Sequence, residues 1–87
     1  MGEYYVTLCR SARKELKKLD TIILKRIFQK IELLAENPCP QMCLKIQGQS
    51  DLWRIRVGDY RVIYSVNEEE KLVDIIAVRH RKDAYRF

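Results

Sequence analysis

The chain has 87 residues, the size of one small domain, and we expect residues 1–87 to form a single unit. Seventeen Lys and Arg against twelve Asp and Glu give a net charge of +5, which favours an anionic partner such as nucleic acid or an acidic protein. The length excludes a multidomain enzyme with its own cofactor domain, and no apolar run is long enough to span a membrane. The first residues lack the layout of a signal peptide, so a cytoplasmic protein is expected.

The cysteines point to a reduced protein without a metal centre. There are three of them, Cys9, Cys39 and Cys43, and an odd number is a poor disulfide framework. The spacing of Cys39 and Cys43 does not suit a zinc knuckle, and the chain has a single histidine, His80. We therefore predict neither a disulfide framework nor a metal site.

The first half of the chain reads as a strand followed by two helices. Residues 3–9 are β-branched or aromatic and roughly alternate, as in a strand. Ser11 is the predicted N-cap of the first helix, and Asp20 or Thr21 that of the second. Both helices carry an apolar stripe at helical spacing, and the second is expected to end at residues 37–40, where two prolines stand.

The second half changes to the period of strands. Residues 44–46 are a possible short strand, residues 52–57 and 60–66 alternate, and residues 72–79 are mostly apolar, which predicts an interior strand. Gly58-Asp59 is a two-residue loop of the kind that closes a hairpin. The predicted fold is α+β, in the order β-α-α-β-β-β-β, with an antiparallel-rich twisted sheet and an N-terminal helical hairpin packed on one face.

The hairpin register separates an apolar face from a basic one. A two-residue loop places Val57 opposite Tyr60 and Arg56 opposite Arg61. The face predicted to lie under the helices then carries Trp53, Ile55, Val57, Tyr60, Val62 and Tyr64. The other face shows Arg54, Arg56 and Arg61, and two arginines directly across a ladder repel each other. An anionic ligand would explain such a pair, although a solvated charged face is the alternative.

The chemistry of the basic face suits a phosphodiester. Arginine offers a planar fork that matches phosphate, and Arg81 could reach this surface if the last strand pairs beside residues 60–66. Tyr85 could follow it and stack on a base. No general base is apparent, because alternation turns His80 away from Arg81. The carboxylates in turns or the tail are not clearly on this face: Asp51, Asp59 and Asp83.

Two segments make the sequence recognisable. LWRIRVGDYRVIY at 52–64 and VRHRKDAYRF at 78–87 resemble the RelE branch of the RelE/ParE toxin superfamily, from bacterial and archaeal toxin–antitoxin modules, and the resemblance covers essentially the whole chain. It implies a translation-inhibiting endoribonuclease that enters the ribosomal A site and cuts mRNA there by attack of the ribose 2′-OH. It implies no cofactor and no metal.

The resemblance also implies roles for individual residues. Arg61 corresponds to the arginine that stabilises the transition-state phosphate, and Arg81 to the arginine that assists the leaving 5′-oxygen. Tyr85 corresponds to the tyrosine that stacks on the mRNA base and orients the 2′-OH.

Four more residues are candidate RNA- or phosphate-binding groups. Arg54 and Arg56 stand where well-studied relatives carry lysines, and Lys45 on the preceding short strand is a possible substitute. Arg79 stands where the family usually has glycine, so it could shift Arg81 or add a phosphate contact. The helix cations are read as a solvated face or as a grip on ribosomal RNA: Arg13, Lys14, Lys17, Lys18, Lys25, Arg26 and Lys30.

The implied partners are a ribosome, an mRNA and an antitoxin. The resemblance predicts a RelB-like antitoxin that wraps the toxin, and action on the 70S ribosome with its mRNA. Operon DNA would be met only through the antitoxin complex, and no membrane is involved. Two alternatives remain open: a ParE-type non-catalytic inhibitor of DNA gyrase with the same fold, and a non-catalytic nucleic-acid-binding module.

Overall fold

The computed structural model describes residues 3–38, 44–45 and 52–82, with the backbone alone at 44–45. The predicted element order is confirmed. The elements are β1 (Tyr5–Leu8), α1 (Arg10–Lys17), α2 (Thr21–Glu36), β2 (Leu44–Lys45), β3 (Leu52–Val57), β4 (Tyr60–Asn67) and β5 (Leu72–His80).

All five strands form one sheet in the order β1-β5-β4-β3-β2. The pairs β2–β3, β3–β4 and β4–β5 are antiparallel, and β1 runs parallel to β5. The predicted antiparallel-rich sheet is therefore confirmed, with one parallel pair at its edge. β5 is interior as predicted, between β1 and the middle strand β4.

The β3–β4 hairpin has the register expected from its two-residue loop. Val57 pairs with Tyr60 and Arg56 pairs with Arg61. Gly58 has a φ of +60°, while Asp59 has a negative φ, which is the sign pattern of a type II′ turn with glycine in the first central position. A residue with a Cβ would be strained at Gly58, so this glycine fixes the register.

The predicted apolar face of the hairpin packs under the helices. The buried core combines residues of both helices and of three strands: Ala12, Leu16, Ile27, Ile31, Leu34, Ile55, Val57, Val62, Tyr64, Val73, Ile75 and Val78. Trp53 and Tyr60 pack against this core while remaining partly exposed. Tyr64 is fully buried, and its phenol donates a hydrogen bond of 2.7 Å to the Pro38 carbonyl, which anchors the segment after α2.

The helix ends confirm one predicted cap and correct another. The carboxylate of Asp20 accepts from the Ile23 N–H at 3.1 Å, so it caps α2 as expected. Ser11 does not cap α1, because the helix begins at Arg10 and Cys9 holds the N-cap position without a side-chain cap. The Ser11 hydroxyl instead donates to the Ile76 carbonyl at 2.9 Å, a partner far along the chain. Within the described ranges, neither helix is long and apolar enough to cross a membrane.

Candidate functional site

Three arginines lie in one row across the face of the sheet opposite the helices. Arg56 on β3 pairs with Arg61 on β4, and Arg61 pairs in turn with Arg79 on β5. A register shift in β5 makes the third position possible, because Ile63 pairs with Ala77 while Tyr64 pairs with Ile75. The extra residue, Ile76, is a bulge that resets the alternation of β5, and bulges re-aim side chains in this way.

The junction between β1 and α1 holds this bulge in place. β1 pairs with Leu72–Ile75 only, so α1 takes over beside the outer edge of β5. The Ile76 carbonyl accepts from the Cys9 thiol at 2.9 Å and from the Ser11 hydroxyl at 2.9 Å. Main-chain carbonyls need hydrogen-bond donors where they are shielded from water, and the carbonyl of this bulge residue has two.

Glu15 of α1 closes the remaining edge of β5. One carboxylate oxygen accepts from the Val78 N–H at 3.2 Å, and the other binds the guanidinium of Arg79. Both side chains of the ion pair are largely shielded, with 31% of Arg79 and 23% of Glu15 exposed. Arg79 therefore forms an ion pair within the protein. This ion pair holds the end of β5 in place, two residues before Arg81.

Arg81 is anchored through its main chain. Its N–H donates to the Asp59 carbonyl at 2.7 Å, which joins the end of β5 to the hairpin turn without using the guanidinium. Around this contact lies an open depression of about 450 Å³, called here the arginine depression. It is lined by Arg56, Gly58, Asp59, Tyr60, Arg61, Arg81 and Lys82.

The arginine depression is strongly electropositive. Within residues 3–38 and 52–82, the ion pairs are Lys71 with Glu68 and Arg79 with Glu15. The four cations of the depression, Arg56, Arg61, Arg81 and Lys82, therefore have no carboxylate partner in that part of the chain. Unneutralised charges gathered at one place destabilise the folded state slightly and attract anions strongly.

His80 is placed as alternation predicts, away from the arginine row. It pairs with Tyr60, and the two rings make an edge-to-face contact with centroids 5.1 Å apart. Its Nδ1 accepts from the Lys82 N–H at 3.3 Å. The imidazole therefore supports the backbone next to Arg81 and has one nitrogen already occupied.

The other predicted site residues are Arg54, Lys45 and Tyr85, and the side chain of Arg54 alone among them is described. Arg54 pairs with Leu44 and Ile63, one row away from the arginine row, and does not line the arginine depression. Lys45 pairs with Trp53, but its side chain is outside the described residues. Tyr85 is outside them altogether, so the roles of both stay predictions.

Two contributors to this geometry escaped the sequence reasoning. Glu15 was not singled out, although it is the one carboxylate among the cations of α1, and that isolation was the available signal. Asp59 was not clearly assigned to the arginine face from the sequence, and the turn brings it into the lining of the arginine depression. Asp59 also contributes its backbone carbonyl, and no pattern of side chains in a sequence predicts such a main-chain contact.

No group of three His, Cys, Asp or Glu side chains gathers within the described ranges. Cys9 there is a free thiol beside the bulge. Cys39 and Cys43 lie outside the described residues. The chemistry open to the described site is therefore that of fixed cations, hydrogen-bond donors and one aspartate.

Comparison with known proteins identifies the family. Residues 6–85 match the family model described as the ParE toxin of the type II toxin–antitoxin system parDE. The chain belongs to the RelE/ParE toxin superfamily. The relatives below place it in the RelE branch, as the sequence segments suggested.

Three relatives cover nearly the whole chain. It is 29% identical to a putative RelE1 toxin of Methanocaldococcus jannaschii, over 97% of both chains. It is 28% identical to the mRNA interferase toxin RelE of Escherichia coli K12, over 94% of this chain and 90% of that protein. The RelE–RelB complex of Pyrococcus horikoshii contains a chain that is 34% identical with a TM-score of 0.80, covering 90% of this chain and 94% of that one.

Proposed function

We propose that this protein is the toxin of a type II toxin–antitoxin module and that it inhibits translation by cleaving mRNA in the ribosomal A site. One structural observation carries the proposal: Arg61 on β4 and Arg81, which directly follows β5, converge on one depression and have no carboxylate partner among the described residues. The similarity to a protein named an mRNA interferase supports the same activity.

The proposed reaction is attack of a ribose 2′-oxygen on the adjacent phosphorus. The bond from O2′ to phosphorus forms and the bond from phosphorus to O5′ breaks. The products are a 2′,3′-cyclic phosphate and a 5′-hydroxyl. Negative charge builds on the non-bridging oxygens and on O5′ in the transition state, and fixed cations lower its energy.

The arginines divide this work by position. Arg61 stabilises the phosphate from the middle strand, and Arg81 stabilises the departing O5′ from the end of β5. Arg56 faces Arg61 across the ladder and adds a second phosphate contact. Tyr85 stacks on the base beside the cleaved bond and orients the 2′-OH, while Arg54 binds a flanking phosphate. No metal ion takes part.

Proton transfer is the weak part of the site. Arginine is a poor proton acceptor, and one nitrogen of His80 is occupied by the Lys82 N–H. We infer that the toxin works mainly by holding the reacting atoms in line and neutralising charge. This explains the proposed dependence on the ribosome, which would position the mRNA.

An antitoxin completes the proposed system. The Pyrococcus horikoshii relative is a complex with RelB, and we propose that a RelB-like antitoxin wraps this chain as well. An acidic segment of that partner would compete with RNA for the unpaired cations of the arginine depression. In this scheme the toxin meets operon DNA only through the antitoxin.

Primer extension on a defined mRNA tests the function. The wild-type protein is added to translating ribosomes programmed with that mRNA, and the same mRNA without ribosomes is the control. We expect cuts within the A-site codon that need the ribosome. A folded, toxic wild-type protein that leaves mRNA intact and triggers a DNA-damage response would contradict the proposal and indicate a gyrase inhibitor.

A further inference from the structure

A second basic depression lies on the other side of the hairpin turn. It has a volume of about 350 Å³ and is called here the α2 depression. Its lining is Arg26, Gln29, Lys30, Arg56, Val57 and Gly58. Three of these six residues are cationic and none is acidic, so its charge is less compensated than that of the arginine depression, which includes Asp59.

The two depressions share part of their lining. Arg56 and Gly58 line both of them, so one arginine of the proposed cleavage site also borders the α2 depression. An anionic chain bound in the arginine depression could therefore extend past Gly58 towards the cations of α2, with Arg56 beside it on both sides. The basic surface is therefore longer than a single phosphate requires.

Gly58 lies between the two depressions, next to Arg26. A Cβ added there would lie 3.6 Å from Arg26 Nη1 and 3.6 Å from Ile23 Cδ1. The guanidinium of Arg26 therefore lies beside the turn, within van der Waals distance of the position that a Cβ would take. Neither Arg26 nor Lys30 pairs with a carboxylate in the part of the chain that the structure describes.

We propose that the α2 depression binds a non-scissile phosphate of RNA, held by Arg26 and Lys30 and reached across Gly58 from the arginine depression. The inference rests on the proposed RNA cleavage and adds a binding site to it. Arginine and lysine supply the fork and the point charge that phosphate recognition uses. The amide of Gln29 can donate to a ribose or base oxygen beside that phosphate.

Charge-neutralising variants of the full-length toxin test the site. Arg26→Gln/Lys30→Gln is compared with Lys14→Gln/Lys17→Gln, which removes the same charge from exposed positions of α1. Lys30→Arg keeps the charge and serves as a rescue control. Equal denaturation midpoints establish that all variants are folded.

The first readout is binding of a short, labelled single-stranded RNA across a salt series. Loss of this one phosphate contact should make the slope of log K against log salt shallower by about 0.7 for the α2 double variant. The α1 double variant and Lys30→Arg should keep the wild-type slope.

The second readout is single-turnover cleavage of mRNA on programmed ribosomes. We expect the ribosome concentration that gives half the maximal rate to rise about tenfold for the α2 double variant, with the maximal rate unchanged. A deficit with both free RNA and ribosomes assigns the phosphate to the substrate strand, and a deficit on ribosomes alone assigns it to ribosomal RNA.

Identical behaviour of the two double variants in both readouts would overturn the inference, because only general charge would then matter. That result is distinguishable from failure of the proposed function, which would appear as a wild-type protein that binds RNA but makes no cut.

Discussion

Arg56 and Arg61 face each other directly across the β3–β4 ladder, and neither has a carboxylate partner in the described part of the chain. Like charges in that position destabilise a hairpin by about 0.2–1 kcal/mol. The arrangement is reasonable if a phosphate bridges the two guanidinium groups during function. The fold thus keeps a small electrostatic cost in its free state at the place where the ligand is proposed to bind.

Removing one charge of this pair should not harm stability. We expect Arg61→Gln to raise the free energy of unfolding by about 0.2–0.5 kcal/mol at low salt, with the gain fading as salt screens the repulsion. Urea denaturation at low and high salt measures this, and Arg13→Gln on α1 is the charge-matched control. The double variant Arg56→Gln/Arg61→Gln should gain little more than either single variant. A loss above about 1 kcal/mol in Arg61→Gln would show that Arg61 is structural.

Glu15 should matter for the edge of β5. In Glu15→Ala the Val78 N–H and Arg79 both lose their acceptor, which should cost about 1–3 kcal/mol. Glu15→Gln keeps an oxygen for the Val78 N–H and should cost less. Hydrogen exchange at Val78 reports the effect locally, and it should accelerate more in the alanine variant. Unchanged exchange at Val78 in both variants would contradict the proposed role of Glu15.

The variant Asp59→Asn tests whether Asp59 acts as a general base. Its backbone carbonyl holds the Arg81 N–H, and Asp59→Asn leaves that carbonyl in place. We expect cleavage within about threefold of wild type and RNA binding two- to about fivefold tighter, because a negative charge near the phosphate is removed. Glu32→Gln on α2 is the charge-matched control. A loss of about 10²-fold or more in rate would instead identify Asp59 as the proton acceptor.

Tyr64 gives the fold a sensitivity to alkaline pH. Burial raises the pKa of Tyr64 to about 12, against about 10 in an unfolded chain. As pH rises, the phenol of the unfolded state loses its proton before the phenol of the folded state. The free energy of unfolding is therefore unaffected by Tyr64 below pH 10 and falls by about 2–3 kcal/mol towards pH 12. The pH profile of the denaturation midpoint should lose this fall in Tyr64→Phe and keep it in Tyr5→Phe, which alters an exposed ring. An equal fall in wild type and Tyr64→Phe would rule Tyr64 out as its source.

The hairpin was predictable because its information is local. Gly58-Asp59 sets the turn, the turn sets the register, and alternation then assigns each side chain to a face. The helix end at Glu36 and the Asp20 cap were also predictable, since capping residues lie beside the helix that they cap.

The features that aim β5 were not predictable in the same way. The bulge at Ile76 is stabilised by donors from Cys9 and Ser11, more than sixty positions earlier in the chain. Ser11 looked like a helix cap because its local sequence cannot reveal a distant carbonyl. The Glu15–Arg79 pair and the parallel pairing of β1 with β5 depend on tertiary packing for the same reason.

Arg81 allows the most direct test of the account. Because its anchor to Asp59 is a main-chain hydrogen bond, Arg81→Ala removes the guanidinium and leaves the anchor intact. We would compare wild type, Arg81→Ala and the control Arg13→Ala by single-turnover primer extension on one mRNA in programmed ribosomes. We expect A-site cuts by wild type and Arg13→Ala. For Arg81→Ala we expect a cleavage rate reduced by about 10²-fold or more, at an unchanged melting temperature. Cleavage at the wild-type rate by a folded Arg81→Ala protein would contradict the proposed role of Arg81.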